Sequence, residues 1–117
     1  MGKILLFHVN VFKANQIAEI CKKTGHTSIM ISRQDYDKPL GVLAGISGMK
    51  SNAMYSGTEF EYEMMVFSGI TSESLDEFLN EYRKAGISQI NRKAVITASN
   101  VMWSALKLYK ELDEHIK

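Results

Sequence analysis

The residues of this chain whose chemistry could go beyond packing are three histidines, one cysteine, a row of alternating glutamates and a glycine-rich stretch. If 59–64, "EFEYEM", is extended, Glu59, Glu61 and Glu63 share one face, about 6–7 Å apart in succession, and two of them could share a metal. No histidine lies near them in the sequence. The favoured reading is a solvated strand face whose charge discourages edge pairing, and no metal site is expected. His8, His26 and His115 are scattered, and no Ser/His/Asp grouping stands at a diagnostic spacing. A lone Cys21 cannot make a CxxC redox pair.

The glycine-rich "GVLAGISGMKS" brings together Gly41, Gly45, Gly48, Lys50 and Ser51. A phosphate-binding P-loop needs its lysine directly after the glycine, so that ammonium and backbone amides reach the same phosphates. Met49 intervenes here, which leaves at most a weak anion site at Lys50 and Ser51. The turn after the first apolar run, "HVNVFKAN", has no glycine, so a dinucleotide pyrophosphate could not approach the backbone closely. A phosphorelay receiver would need carboxylates at its strand ends, where this chain has His8, Asn10 and Ser68. No cofactor is expected.

The elements that must position these groups follow from hydrophobic patterning. Four runs, "ILLFHV" (4–9), "SIMI" (28–31), "MMVF" (64–67) and "AVIT" (94–97), are nearly continuous rather than alternating. That pattern suits strands buried on both faces of a mostly parallel sheet. Between them, 13–24 is helical, with Gly25 as its stop. Residues 72–85 carry an i, i+3, i+4, i+7 stripe of Leu75, Phe78, Leu79 and Tyr82, capped by Thr71 or Ser72 and stopped by Gly86. "KPLGVLAG" (38–45) reads as a short helix with Pro39 near its start, and 99–116 as the last helix. The fold class is therefore α/β, a single domain over 1–117. Its first βαβα half spans 1–46, an irregular loop 47–61, and a second βαβα half 62–117.

The expected architecture is a three-layer sandwich of four mostly parallel strands in the order 2-1-3-4. A pseudo-twofold along the strands would exchange its two faces. The alternative is a ferredoxin-like α+β fold, with 59–64 as a half-exposed strand.

In an open sheet of order 2-1-3-4, a ligand belongs in the crevice beyond the carboxyl ends of strands 1 and 3. That makes His8, Asn10, Ser68, Gly69, Thr71 and Ser72 the candidate ligand-binding residues. The last four lead into a helix N-terminus, where amides can hold an anion. A second candidate surface is for interaction rather than ligand binding. Met49, Met54 and Tyr55 lie in the irregular loop, and flexible methionines with a tyrosine suit an adaptable contact. On a regular last helix, Met102, Ala105, Leu108, Tyr109, Leu112 and Ile116 gather on one side, and Trp103 projects opposite them, near Lys107 and Lys110. There it packs locally under lysine stems, anchors a partner, or stacks on a ligand.

Composition bounds the rest. At 117 residues and a net charge of +1 at pH 7, the chain lacks the electrostatic footprint of a dedicated nucleic-acid binder. The lone cysteine points to the cytoplasm, and no apolar run approaches the roughly 20 residues of a membrane span.

The second half resembles a known family. "LDEFLNEYRKAGI" followed by "KAVITASNVMWSALKLYKELDEH" is similar to the small bacterial family catalogued as domain of unknown function 3783. Its pattern looks like Lys93, Ala94, Thr97, Asn100, Trp103, Leu106, Glu114 and His115 here, and the resemblance covers about residues 64–115. It implies a compact cytosolic bacterial domain with no established activity and carries over no catalytic residue. Bottom-up, Thr97, Ser99 and Asn100 suit the capping of the last helix. The expected function is a binding or regulatory module, more readily non-enzymatic than enzymatic, with a homodimer or protein partner through the last helix or the 47–61 loop. Neither nucleic acid nor membrane is an expected partner. The alternative is a small-ligand or anion site at the strand ends.

Overall fold

The computed structural model describes residues 2–116. In chain order they form β1 (Lys3–Phe7), α1 (Val11–Thr24), β2 (Thr27–Ile31), a 3-10 turn (Arg33–Asp35) and α2 (Leu40–Leu43). Then come β3 (Met64–Ser68), α3 (Ser72–Lys84), β4 (Arg92–Val95) and α4 (Ala105–Ile116). The strands make one sheet in the order β2-β1-β3-β4, so the α/β sandwich and its strand order stand as read from the sequence.

The direction of the central pair differs from expectation. β1 runs parallel to β2, and β3 parallel to β4, but β1 and β3 are antiparallel, with Lys3 opposite Ser68 and Phe7 opposite Met64. The sheet is mixed. The cause is the path of the chain between β2 and β3. It leaves β2 beside the end of β1 and reaches α2 at the other end of the sheet, where Lys3 Nζ donates to the Ala44 carbonyl at 2.8 Å. Residues 47–61 then bring it back, so β3 starts where β2 stopped. The long irregular segment is this return leg. Neither a pseudo-twofold along the strands nor the ferredoxin-like alternative describes the result.

Alternation in each strand divides the core in two. Ile4, Leu6, Met65 and Phe67 face α1 and α3 on one side, packing with Ile17, Ile20, Phe78 and Tyr82. Leu5, Phe7, Met64 and Val66 face the other side, against Tyr36, Leu40, Phe60, Leu108 and Tyr109. Both major crossover helices therefore share one face, as an antiparallel centre requires. Fully burying a large apolar side chain contributes about 1.5–3 kcal/mol, so both layers stabilise the sheet. On the second side, Phe60 is sandwiched between Tyr36 and Tyr109, with ring centroids 4.1 and 4.0 Å away.

Helix ends follow local chemistry. Asn10 Oδ1 accepts from the Lys13 amide at 2.8 Å to start α1, and Gly25 closes that helix at φ 78°. Thr71 Oγ1 accepts from the Ser74 amide at 3.1 Å to start α3. The last helix departs from expectation: it begins at Ala105, not near residue 99, and Ser104 Oγ accepts from the Lys107 amide at 3.1 Å. Thr97 and Asn100 close a local turn instead. Asn100 Oδ1 accepts from the Thr97 amide at 2.8 Å, and its Nδ2 donates to the Val95 carbonyl at 3.1 Å. Short polar side chains that bond nearby backbone compete with helix in this way. The expected strand at 59–64 is irregular up to Met64, and β4 lies two residues earlier than its apolar run suggested.

Candidate functional site: a cleft at the ends of β1 and β2

Where β1 ends, the chain must turn sharply from the sheet into α1. His8 makes the turn in the left-handed region at φ 60°, and it is the non-glycine residue among those described with positive φ. Histidine enters this region more readily than most residues, yet the conformation still costs on the order of 1 kcal/mol. Val9 is buried beside it, and Asn10 caps the helix. His8 is thus locked between a strand end and a helix start, with its ring toward an open cleft of about 660 Å³.

The cleft wall is built from three strand termini. β1 supplies His8, Val9 and Asn10; the end of β2 supplies Met30, Ile31, Ser32 and Arg33; the approach to β3 supplies Glu59, Glu61, Tyr62 and Glu63. Phe7 pairs with Ile31, so His8 and Ser32 are neighbours one step beyond the ladder.

A line of polar contacts runs from the core to His8. Tyr36, fully buried, donates its hydroxyl to Glu59 Oε1 at 2.5 Å. The same oxygen accepts the Phe60 amide at 2.8 Å. Glu59 Oε2 then faces His8 Nδ1 at 3.6 Å. Burial, and next its bond to Glu59, push the Tyr36 hydroxyl far above its ordinary range, so it stays a donor. A tethered carboxylate on one ring nitrogen orients the imidazole and leaves Nε2 for the cleft.

The other charges of the wall divide by whether they are already paired. Glu63 is held by the buried Lys13, whose Nζ donates to Glu63 Oε1 at 2.8 Å and to Ser88 Oγ at 2.9 Å. Arg33 and Glu61 are exposed and make no ion pair among the described residues. The Ser32 hydroxyl does not cap the turn it precedes, and no hydrogen bond joins it to His8 among the described residues. Those residues hold no cluster of His, Cys, Asp and Glu arranged to bind a metal, and of the three alternating glutamates Glu59 and Glu63 have separate partners.

The candidate ligand residues named from sequence do not meet. The antiparallel centre sends His8 and Asn10 to one end of the sheet and Ser68, opposite Lys3, to the other. Gly69, Thr71 and Ser72 follow Ser68 to that far end, where Thr71 serves as the α3 cap. The crevice expected between the ends of strands 1 and 3 is therefore not formed, and the cleft lies between the ends of strands 1 and 2.

Three of the candidate interaction residues lie on the second face, Tyr55 and Trp103 against its core layer and Met49 against α2. Met49 packs against the Gly41 backbone, Tyr55 sits 5.7 Å from the Tyr36 ring and donates its hydroxyl to the Thr58 carbonyl at 2.8 Å, and Met54 points outward. Trp103 lies one residue ahead of the Ser104 cap. It is half-buried against the second core layer, with Lys107 Nζ 4.5 Å from its ring centroid. Its backbone carbonyl accepts from Leu40, tying it to α2. The tryptophan is thus covered in part by its own chain.

Sequence reasoning missed Ser32, Arg33, Tyr36 and the pairing of Glu59 with His8. Ser32 and Arg33 directly follow the second apolar run, so the strand-end rule applied to adjacent strands 1 and 2 would have found them. Nothing in the sequence signals that Glu59 and Tyr36 meet.

Residues 63–115 fit the family model described as Domain of unknown function (DUF3783). No curated protein and no solved structure matches the chain. The matched segment spans β3, α3, β4 and α4, and of the cleft wall it contains Glu63 alone.

Proposed function

We propose that the chain is a small, cytosolic, non-enzymatic binding module of bacterial origin that holds a polar small molecule in the cleft at the ends of β1 and β2. The observation that carries this is His8, held at φ 60° with Nδ1 3.6 Å from a carboxylate that a buried tyrosine tethers. Backbone strain clusters where the chain must hold a ligand, and this strained residue opens on a cleft. No helix of the described residues is long and apolar enough to cross a membrane. The lone Cys21 is a buried free thiol, which suits a reducing compartment.

Charge narrows the ligand. Three glutamates face one arginine, and Lys13 cancels Glu63, so the remaining carboxylates of the wall outnumber Arg33 two to one. A simple anion would meet repulsion. A zwitterion would not: its carboxylate suits Arg33, which binds such groups through a planar fork, and its ammonium suits Glu61. An amino acid or short peptide has that character. The test is a two-dimensional amide NMR titration with a panel of amino acids and dipeptides, with inorganic phosphate as the pure-anion control. Shifts should gather at His8, Asn10, Ser32, Arg33 and Glu61. Unmoved resonances there, or shifts confined to 69–72, would refute the reading.

A further inference from the structure

We infer that the chain forms a two-fold homodimer by antiparallel pairing of β2 with β2 of a second copy, centred on Ile29. The edge itself supplies the first observation. The Thr27 amide donates inward to the Gly2 carbonyl at 3.0 Å, and alternation along a parallel strand then turns the N–H and C=O groups of Ser28 and Met30 outward. Among the described residues, nothing bonds those outward groups.

The second observation is that this edge lacks the usual protection. Natural sheets blunt their edges with lysine, proline, bulges or covering elements. β4, at the opposite edge, carries Arg92 and Lys93; β2 reads Thr-Ser-Ile-Met-Ile, with neither charge nor proline. Met30 is 51% exposed in the middle of an otherwise structured region. Ile29 and Ile31 are only half-covered by the second core layer.

The third observation identifies the occupant. An uncharged strand offers nothing to select a charged peptide, but it complements its own reverse. Centring on Ile29 sets Ser28 opposite the partner's Met30, where each exchanges both main-chain bonds with the other, and symmetry repeats the exchange. Ile29 meets the partner's Ile29 in the closer, non-hydrogen-bonded type of pair. Thr27 meets the partner's Ile31 on the same face. No like charges oppose, and a net charge of +1 sets up little long-range repulsion between copies. Two-fold pairing also closes the assembly: it uses the β2 edge of both copies and leaves at the two ends the β4 edges, which carry Arg92 and Lys93.

A five-residue strand with its flanks is small against the ~1,600 Å² of a standard interface, so the dimer is reversible and dissociates on dilution. The same register sets the partner's His26 across from Ser32, at the open side of the cleft. That last consequence rests on the binding reading; the dimer does not.

Sedimentation equilibrium from micromolar to millimolar chain tests the proposal on wild type and Met30→Lys. The substituted position is exposed, so the monomer keeps its circular-dichroism spectrum and melting temperature. Its dimer should weaken at least tenfold, because a lysine would enter the paired edge. Mild oxidation of Ile29→Cys gives a covalent dimer, since α-carbons ~4.5 Å apart fall within disulfide reach; the control Met102→Cys, 68% exposed, does not cross-link. A wild type that stays monomeric at millimolar concentration overturns the inference. So does a dimer untouched by Met30→Lys, or one that cross-links through Met102→Cys instead. The amide titration of the cleft is judged on wild type by which residues shift, whatever the oligomeric state, so the two readings fail separately.

Discussion

Lys13 and Glu63 form an ion pair whose two ends differ in burial, and that asymmetry sets what each substitution costs. The Lys13 side chain is 8% exposed, whereas that of Glu63 is 28% exposed. Glu63→Ala leaves a cation enclosed with Ser88 Oγ as its remaining partner. Breaking a buried pair in this way costs about 3–5 kcal/mol, and the retained bond to Ser88 sets the expectation near the low end, about 3 kcal/mol. Lys13→Met keeps the stem's packing, and Glu63, closer to solvent, recovers water; about 1 kcal/mol is expected. The double variant Lys13→Met/Glu63→Ala should regain most of the loss, because no charge remains buried. Urea unfolding followed by circular dichroism measures all three. At a slope of about 1.5 kcal/mol per molar, the midpoint of Glu63→Ala falls by about 2 M and that of Lys13→Met by less than 1 M. Equal losses in the two single variants would refute the burial argument. A double variant as weak as Glu63→Ala would show that the cost comes from lost packing and not from a stranded charge.

Three further outcomes are expected. Ser104→Ala should cost about 1 kcal/mol and release the Lys107 amide to fast hydrogen exchange, whereas Asn100→Ala leaves that amide protected, because Ser104 caps α4. Tyr36→Phe keeps the aromatic stack but removes one of the two donors to Glu59 Oε1, which still accepts the Phe60 amide. Since Glu59 is partly solvated, a loss of about 1 kcal/mol is expected, together with a change in the His8 ring resonances that Phe60→Leu would not produce by the same route. The Cys21 thiol is raised by burial from 9.0 to about 11 in the folded protein, so its contribution is complete below pH 9.0 and lost as pH rises through about 11. Relative to Cys21→Ala, the wild type should therefore lose up to about 2 kcal/mol across that window in chemical unfolding, and its thiol should resist alkylation at neutral pH until the chain unfolds.

The elements were legible where local chemistry decides them. α1 and α3 were found with their apolar faces, and Gly25 and Gly86 take the positive φ that a helix stop needs. Strand order also followed from the alternation of elements. α4 was misplaced because "TASN" is as good at closing a turn as at capping a helix, and the choice depends on tertiary contacts. Leu40 and Gly41 donate to the carbonyls of Trp103 and Val101, and those bonds hold the turn at 101–103 against α2. Trp103 was consequently put on a helix face it does not occupy. The alternating "EFEYEM" failed for a similar reason. Phe60 is fixed by stacking between Tyr36 and Tyr109, so the period of two records one buried aromatic and not a strand.

The site was lost through a single undecided direction. Strands buried on both faces show the same continuous apolar runs whether a neighbour is parallel or antiparallel, so nothing within "ILLFHV" or "MMVF" sets how β1 meets β3. What sets it is where the intervening chain ends, and that depends on residues 47–61 running back along the second face. Once the chain returns to the end it left, His8 must lose Ser68 as a neighbour and gain Glu59. The pairing follows because Glu59 lies five residues ahead of Met64, which sits opposite Phe7. The chemistry of the cleft is thus a product of the return leg and the first half, while the family match covers the second half, with its α3 and α4 frame. A relative sharing only residues 63–115 would keep Glu63 and lose His8, Ser32, Arg33, Glu59 and Glu61, so the cleft's function does not transfer with the match.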